Sequence, residues 1–131
     1  MEGARRAGGR WNHKGTAMVY CAATASLCAL EALAHSAMLP ADMIVVQARI
    51  PKSLSIQTVE ESDLPPNWSR PMPSKKTQDL GTGWVRMAAT AVLSVPSVIV
   101  PSERNYLLNP AHPDFAEFAF RRLGRLRSTG A

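Results

Sequence analysis

The chain has 131 residues, 46% of them hydrophobic, which is enough for one core and therefore predicts one domain. No run of about eighteen apolar residues occurs and no secretion signal is recognisable, so a membrane span is not expected and the cytosol is the predicted location. The net charge of +5 comes from arginines near both ends. Without interleaved aromatic residues these arginines make no stacking platform for bases, although they would attract an acidic partner or nucleotide phosphates.

The first half of the sequence predicts a strand, a helix and two further strands. Ala17–Ala22 has the β-branched and aromatic content of a short buried strand. Thr24 is a predicted helix N-cap, and leucines follow at helical spacing until Pro40 ends the helix. Apolar residues alternate in Met43–Ile50 and again in Leu54–Val59, which predicts two strands, the first with both faces covered.

The next segment predicts a loop, a second helix and a broken strand. Prolines and polar residues fill Glu60–Ser74, a composition typical of a loop. Thr77 is the predicted cap of a helix that runs to about Ala91. Val92–Pro101 predicts two strand segments separated at Pro96, because proline donates no hydrogen bond to a sheet.

The C-terminal third predicts a connector, a last strand and a tail. Asn105–Pro113 is interpreted as a bend-rich connector and Asp114–Phe120 as the last strand. Residues 1–123 would form the domain, and residues 124–131 a flexible basic tail. Because strands and helices do not alternate regularly, the sequence predicts an α+β domain with mainly antiparallel pairing.

Four side chains are candidates for chemistry, although each alone also fits a structural role. Arg10 follows two glycines, whose flexible backbone would let the guanidinium reach phosphate oxygens. Tyr20 lies in the first strand, and Ser97 follows the strand break without the surroundings of a nucleophile elbow. Glu31 borders the apolar side of the first helix and needs either a function or a partner, for which His35 is an alternative.

Two other patterns predict no site. Cys21, Cys28 and His35 have spacings that match no metal-binding motif, so no metal is expected. Gly8 and Gly9 lead towards a strand rather than from a strand into a helix, so the dinucleotide-binding fingerprint is absent.

The order of these motifs resembles the RES-domain toxins, a family named after an arginine, a glutamate and a serine. The matching residues, in chain order, are Gly8-Gly9-Arg10-Trp11-Asn12, Val19-Tyr20, Leu30-Glu31, Val95-Pro96-Ser97 and the long segment NYLLNPAHPDF at residues 105–115. The family carries a further strand ahead of the first motif, so this chain is expected to lack that strand.

The resemblance implies a fold similar to the ADP-ribosyltransferase toxins, with mainly antiparallel sheets around a cleft. It also implies a toxin of a bacterial toxin–antitoxin pair that degrades NAD by cleaving the nicotinamide–ribose bond, through hydrolysis or phosphorolysis. NAD would be the substrate, with no cofactor. The implied partner is an Xre-like helical antitoxin, with a homodimer inside the complex and contact with nucleic acid only through the antitoxin.

The resemblance also assigns the site residues. Arg10, Tyr20, Glu31 and Ser97 would be catalytic. The implied NAD-binding residues are Arg10, Asn12, Tyr20, Ser97, Asn105 and Asn109.

Three alternatives remain open at this point. The same pocket would support transfer of ADP-ribose to a protein. The terminal arginines would instead suit a small basic module that binds nucleic acid. An inactive domain that only binds its antitoxin would carry the same motifs.

Overall fold

The computed structural model describes residues 8–36 and 43–125, within which the chain forms two helices and six strands. No helix in these ranges is long and apolar enough to cross a membrane. In chain order the elements are β1 (Val19–Ala22), α1 (Ala25–Ser36), β2 (Ile44–Arg49), β3 (Ile56–Thr58), α2 (Lys75–Met87), β4 (Val92–Pro96), β5 (Arg104–Leu108) and β6 (Ala119–Arg125).

The described strands form two sheets. The larger has four strands in the order β1-β5-β4-β3, and the smaller is the pair β2-β6. All pairings are antiparallel except β3 with β4, which is parallel. The predicted α+β domain with mainly antiparallel pairing is therefore confirmed.

The two central strands of the four-stranded sheet, β4 and β5, are covered on both faces, and a separate apolar cluster lies on each face. One face carries Leu93 and Leu107, which pack with the buried tryptophans Trp11, Trp68 and Trp84. The opposite face carries Val92 and Leu108, which pack with Phe118.

The positions of the first predicted elements are confirmed with small changes, but β1 is half-buried rather than buried. The strand at Val19–Ala22 lies inside the predicted range. The hydroxyl of Thr24 accepts a hydrogen bond from the amide of Leu27 at 3.1 Å, which confirms the predicted cap of α1. The predicted end of this helix at Pro40 lies outside the described residues.

Strand β2 is where it was predicted, but the expectation that both of its faces are covered is wrong. Ile44 is 43% exposed and Val46 is 55% exposed. The reason is that β2 pairs with β6 alone in the described structure and so belongs to a narrow two-stranded sheet.

Helix α2 begins earlier and ends earlier than predicted. Ser74 is its N-cap, and the Ser74 hydroxyl accepts a hydrogen bond from the amide of Thr77 at 3.2 Å. The helix ends at Met87 because Ala88 adopts a left-handed backbone conformation with a φ of 51°.

The prediction of a connector at Asn105–Pro113 is wrong for its first half, since β5 lies there in the interior of the sheet. Leu107 and Leu108 are fully buried on opposite faces. A strand covered on both faces shows no alternation of apolar and polar residues, and this hid β5 in the sequence.

The predicted second half of the Val92–Pro101 strand is also wrong. After β4 the chain turns, and the Ser97 hydroxyl accepts hydrogen bonds from the amides of Ile99 and Val100. A side-chain acceptor replaces the neighbouring strand for these two amides, so the segment does not join the sheet.

The last strand begins later than predicted. Pro113–Glu117 forms a 3-10 turn, capped by the His112 ring nitrogen, which accepts the amide of Asp114 at 3.0 Å. Strand β6 then runs to Arg125, two residues into the predicted tail, and residues 126–131 lie outside the described structure.

A close contact between Gly81 and Trp11 fixes helix α2 against the segment before β1. A Cβ atom at Gly81 would lie 1.7 Å from the carbonyl oxygen of Trp11, whereas one at Gly83 would meet nothing within 4 Å. Only glycine at position 81 lets the two backbones approach this closely.

This contact predicts opposite effects of the same substitution at two helix positions. Gly81→Ala should lower the free energy of unfolding by about 3 kcal/mol or more, because backbone cannot move away as a flexible side chain would. Gly83→Ala should raise it by about 0.5–1 kcal/mol, the usual gain of alanine over glycine in a helix. Urea denaturation measures both, and equal effects would contradict the close contact.

Candidate active site

The site begins with the glycine-rich loop before β1. Gly8 has a φ of +75°, and a Cβ atom at Gly9 would lie 2.7 Å from the hydroxyl oxygen of Tyr20. The Gly9 amide donates to the carbonyl of Asn12 at 3.0 Å, and Gln78 donates to the Gly9 carbonyl at 2.9 Å. The loop is thus closed by its own hydrogen bond and anchored to α2. Because Gly9 has no side chain, the Tyr20 hydroxyl has room beside it.

The hydroxyl of Tyr20 is held on two sides. It donates to the side-chain oxygen of Asn12 and accepts from the amide of Trp11 at 3.3 Å. Asn12 is fully buried, and its side-chain nitrogen donates to the carbonyl of Thr16 at 2.9 Å. In this structure Asn12 positions Tyr20, and its predicted contact with NAD stays a prediction.

The electrostatic environment keeps this phenol protonated. Burial raises the pKa of Tyr20 to about 12, while the hydrogen bond from the Trp11 amide and the charge of Arg10 act in the opposite direction. At neutral pH the neutral hydroxyl therefore donates to Asn12 rather than presenting a negative charge to Arg10.

Arg10 lies half-buried within electrostatic range of both Glu31 and Tyr20. Burial lowers the pKa of Arg10, and the charges of Glu31 and Tyr20 raise it. An arginine nevertheless remains cationic at physiological pH. Its Nη1 donates to the carbonyl of Trp68 at 2.7 Å, the one hydrogen bond of this side chain to the described residues. The predicted contact of this guanidinium with NAD stays a prediction.

Ser97 joins the end of β4 to the middle of α1. Its hydroxyl donates to Oε1 of Glu31 at 2.8 Å and accepts from the amides of Ile99 and Val100, each at 3.1 Å. Ser97 is fully buried. Since the only proton of the hydroxyl is committed to Glu31, Ser97 orients the carboxylate in this arrangement.

The structure thus brings the four predicted catalytic residues together, from the loop, β1, α1 and the turn after β4. The alternative partner of Glu31, His35, has a side chain outside the described part of the structure.

The two predicted asparagines of the C-terminal motif lie at opposite ends of β5. Asn105 pairs with Ala22 of β1 and Val95 of β4, at the end of the sheet where β4 leads to Ser97. Its side-chain nitrogen donates to the carbonyl of Cys21 at 3.4 Å. Asn105 therefore lies near the cluster, and its role stays a prediction.

Asn109 follows the other end of β5, where its own amide donates to the carbonyl of Ala91. The Asn109 side chain is fully buried, donates to the carbonyl of Val85 at 3.1 Å and accepts from the amide of Ala111 at 3.0 Å. These bonds secure the turn after β5, and the structure does not bring Asn109 to the other site residues.

Several groups that build the site give little signal in the sequence. The Trp68 carbonyl that holds Arg10 belongs to the proline-rich loop, and backbone groups have no residue identity that a motif would reveal. Gln78 of α2 anchors the glycine loop by its hydrogen bond to the Gly9 carbonyl. In the sequence, the only indication of this contact is that Gln78 lies one turn before Gly81 in the predicted helix. The amides of Ile99 and Val100 reach the Ser97 hydroxyl because the chain turns where the sequence predicted a strand.

Comparison with known proteins defines the class. The family model of the RES domain matches residues 1–127, so the chain belongs to the RES domain family, as the motifs indicated.

Named relatives share about two-fifths of their residues with the chain. A protein of Sphingobium sp. (strain YBL2), named Prs ADP-ribosylating toxin, is 40% identical over 116 residues, which are 86% of this chain and 72% of the relative. A protein of Yersinia enterocolitica named Toxin Res is 42% identical over 86% of this chain and 75% of its own length. Another Toxin Res, of Photorhabdus laumondii, is 37% identical over 88% of this chain and 75% of its own length.

The hydrogen-bonded phenol of Tyr20 predicts a measurable titration. The difference in absorbance at 295 nm between the wild-type protein and Tyr20→Phe should show a phenol that ionises near pH 12, because burial disfavours the phenolate. In the unfolded chain this phenol ionises near pH 10. Between pH 10 and pH 12 the folded protein therefore keeps the phenol proton that the unfolded chain has lost. Stability from Tyr20 is therefore present below pH 10 and is lost as the pH rises towards 12.

Urea denaturation at pH 8 and pH 11 checks the sign. The wild-type protein should lose more stability than Tyr20→Phe over this interval. A phenol that titrates near pH 10 in the folded protein would contradict the buried, hydrogen-bonded hydroxyl.

Proposed function

We propose that this protein is a toxin that breaks down NAD by cleaving the bond between nicotinamide and ribose. The observation that carries the proposal is the hydrogen bond from Ser97 to Glu31 beside the cationic Arg10 and the fixed Tyr20. The toxin names of the Sphingobium, Yersinia and Photorhabdus relatives support the same role.

Glu31 is the residue that we expect to act on the reacting ribose. Loss of nicotinamide leaves positive charge on the ribose in an oxocarbenium-like transition state, as in glycoside hydrolysis. A fixed carboxylate stabilises that charge without having to reorient during the reaction. The Ser97 hydroxyl, itself held by two amides, keeps the Glu31 carboxylate in one orientation.

Arg10 and Tyr20 would bind the rest of the substrate. The planar guanidinium suits bidentate contact with pyrophosphate oxygens, and its charge attracts them. Tyr20 is 38% exposed although its hydroxyl is bonded inside the protein, so the ring is held in place with a surface available for nicotinamide or its ribose.

No cofactor is needed for this reaction. Nicotinamide leaves NAD as a neutral molecule, so no strong acid has to protonate it. The acceptor would be water in hydrolysis or inorganic phosphate in phosphorolysis.

Transfer of ADP-ribose to a protein is the second candidate, because the Sphingobium relative is named an ADP-ribosylating toxin. The same carboxylate and arginine would serve both reactions, and only the acceptor differs. Free ADP-ribose or its phosphorylated form would indicate NAD breakdown, whereas labelled protein would indicate transfer.

The toxin role also suggests the partners. We expect an Xre-like helical antitoxin, a homodimer within the toxin–antitoxin complex, contact with nucleic acid only through the antitoxin, and a cytoplasmic location. Copurification of the chain with the product of a neighbouring antitoxin gene tests the first of these expectations.

Glu31→Gln tests the carboxylate directly. This substitution keeps the size of the side chain but removes its charge, so NAD consumption should fall by about 100-fold or more. Glu117→Gln, an exposed glutamate in the turn before β6, is the matched control and should retain full activity. Chromatography of the nucleotide products gives the rate and identifies the acceptor; unchanged NAD loss in Glu31→Gln would overturn the proposal.

Ser97→Ala tests the positioning of Glu31. A hydrogen bond to a charged group contributes about 1.5–3 kcal/mol, which corresponds to about a 10- to 100-fold loss of kcat. KM should change little, because Ser97 acts on the carboxylate and not on the bound substrate. Ser102→Ala, at an exposed turn nearby, is the control, and a thermal unfolding curve separates lost activity from lost fold. An increase in KM at constant kcat would instead assign Ser97 to substrate binding.

A further inference from the structure

A cleft of about 540 Å³ lies between strands β1 and β2. The consecutive residues Tyr20–Ala25 and Met43–Ala48 both line it. Because successive side chains of a strand point to opposite faces, a cleft lined by consecutive residues of two strands runs along their edges rather than over one face. Two strand edges therefore face the same space.

Both of these edges are unpaired in the described structure. β1 is the outer strand of the four-stranded sheet, and it pairs with β5 along one edge only. β2 pairs only with β6. The backbone N–H and C=O groups along such edges are available to pair with another strand.

Helix α1 forms another wall of the cleft, and its small side chains there leave the space between the helix and the strands unfilled. The α1 residues that line the cleft are Ala25, Cys28, Ala29 and Ala32, all small. Their spacing of three or four residues places them on one side of the helix. A backbone with its side chains would therefore find room between α1 and the two strands.

The surroundings of the cleft are apolar and exposed. Ile44, Val46, Ile56 and Leu123 all line it, and each is between 43% and 55% exposed. A cluster of large apolar side chains open to solvent is typical of an interaction site.

Arginines border this apolar region. The register pairs Arg125 with Ile44 and Arg122 with Val46, and paired residues of an antiparallel sheet lie on the same face. Neither β2 nor β6 contains an acidic residue, and no ion pair within the described structure includes these two arginines. The charge of the surface is therefore complementary to carboxylates.

We propose that this edge cleft binds an extended segment of a partner protein that carries both apolar and acidic side chains. Its backbone would pair with the edge of β1 or β2 that is unpaired among the described residues, its apolar side chains would fill the cleft, and its carboxylates would pair with Arg122 and Arg125. A nucleic acid has no alternating N–H and C=O groups for a strand edge, so a polypeptide fits the cleft better. This inference does not depend on the substrate of the site around Glu31.

The test uses a fluorescein-labelled octapeptide of alternating valine and glutamate, with a valine–lysine octapeptide as its matched control. Fluorescence anisotropy should show binding of the acidic peptide and at least tenfold weaker binding of the basic one. Cys28 lines the cleft and is exposed, so the bound acidic peptide should slow alkylation of Cys28 by iodoacetamide at least fivefold. The alkylation is assigned by comparison with Cys28→Ala.

Charge reversal identifies the surface. The double variant Arg122→Glu and Arg125→Glu should weaken binding of the acidic peptide at least tenfold. Reversal of two exposed arginines elsewhere, Arg70→Glu and Arg86→Glu, should change it less than twofold. Circular dichroism checks that both double variants are folded.

Three results would overturn the proposal: no binding of the acidic peptide, equal binding of the two peptides, or binding without protection of Cys28. A labelled single-stranded RNA octamer that binds where the acidic peptide does not, and that loses binding in the Arg122 and Arg125 variant, would assign the surface to nucleic acid instead.

Discussion

The buried hydroxyl of Ser97 joins helix α1 to the end of strand β4, and the geometry of the candidate site depends on this connection. Two amides of the following turn hold the oxygen, and its proton is directed at Glu31. The same turn stops β4 from continuing into a second strand segment. The break in the sheet and the orientation of the carboxylate therefore have one physical cause, a side-chain acceptor that takes the place of a neighbouring strand.

The order of the motifs predicted which residues would meet, because a family motif retains the residues that a site needs. Arg10, Tyr20, Glu31 and Ser97 come together as predicted, although propensity alone gave each of them an ordinary structural role. The sequence did not predict what holds them. The Trp68 carbonyl that anchors Arg10 is a backbone group, and its position depends on how a proline-rich loop folds against the rest of the domain.

The errors in predicted secondary structure have similar origins in tertiary packing. Strand β5 is covered on both faces, so its sequence lacks the alternation by which a half-buried strand is recognised. Strand β2 shows the opposite error: its apolar residues on both sides suggested burial, but Ile44 and Val46 are exposed at the edge cleft. Hydrophobic pattern indicates which surfaces are apolar, and it does not indicate whether the same chain covers them.

Tyr20 connects the two regions for which we propose roles. Its hydroxyl is fixed by Asn12 and the Trp11 amide beside Arg10, and the same residue lines the cleft between β1 and β2. Gly9 leaves the space that this arrangement requires. Because the hydroxyl is held, the ring stays at the boundary between the two regions. A partner segment that covers the exposed part of this ring would leave no room there for nicotinamide, so we expect occupancy of the edge cleft to oppose binding of NAD without any movement of Glu31.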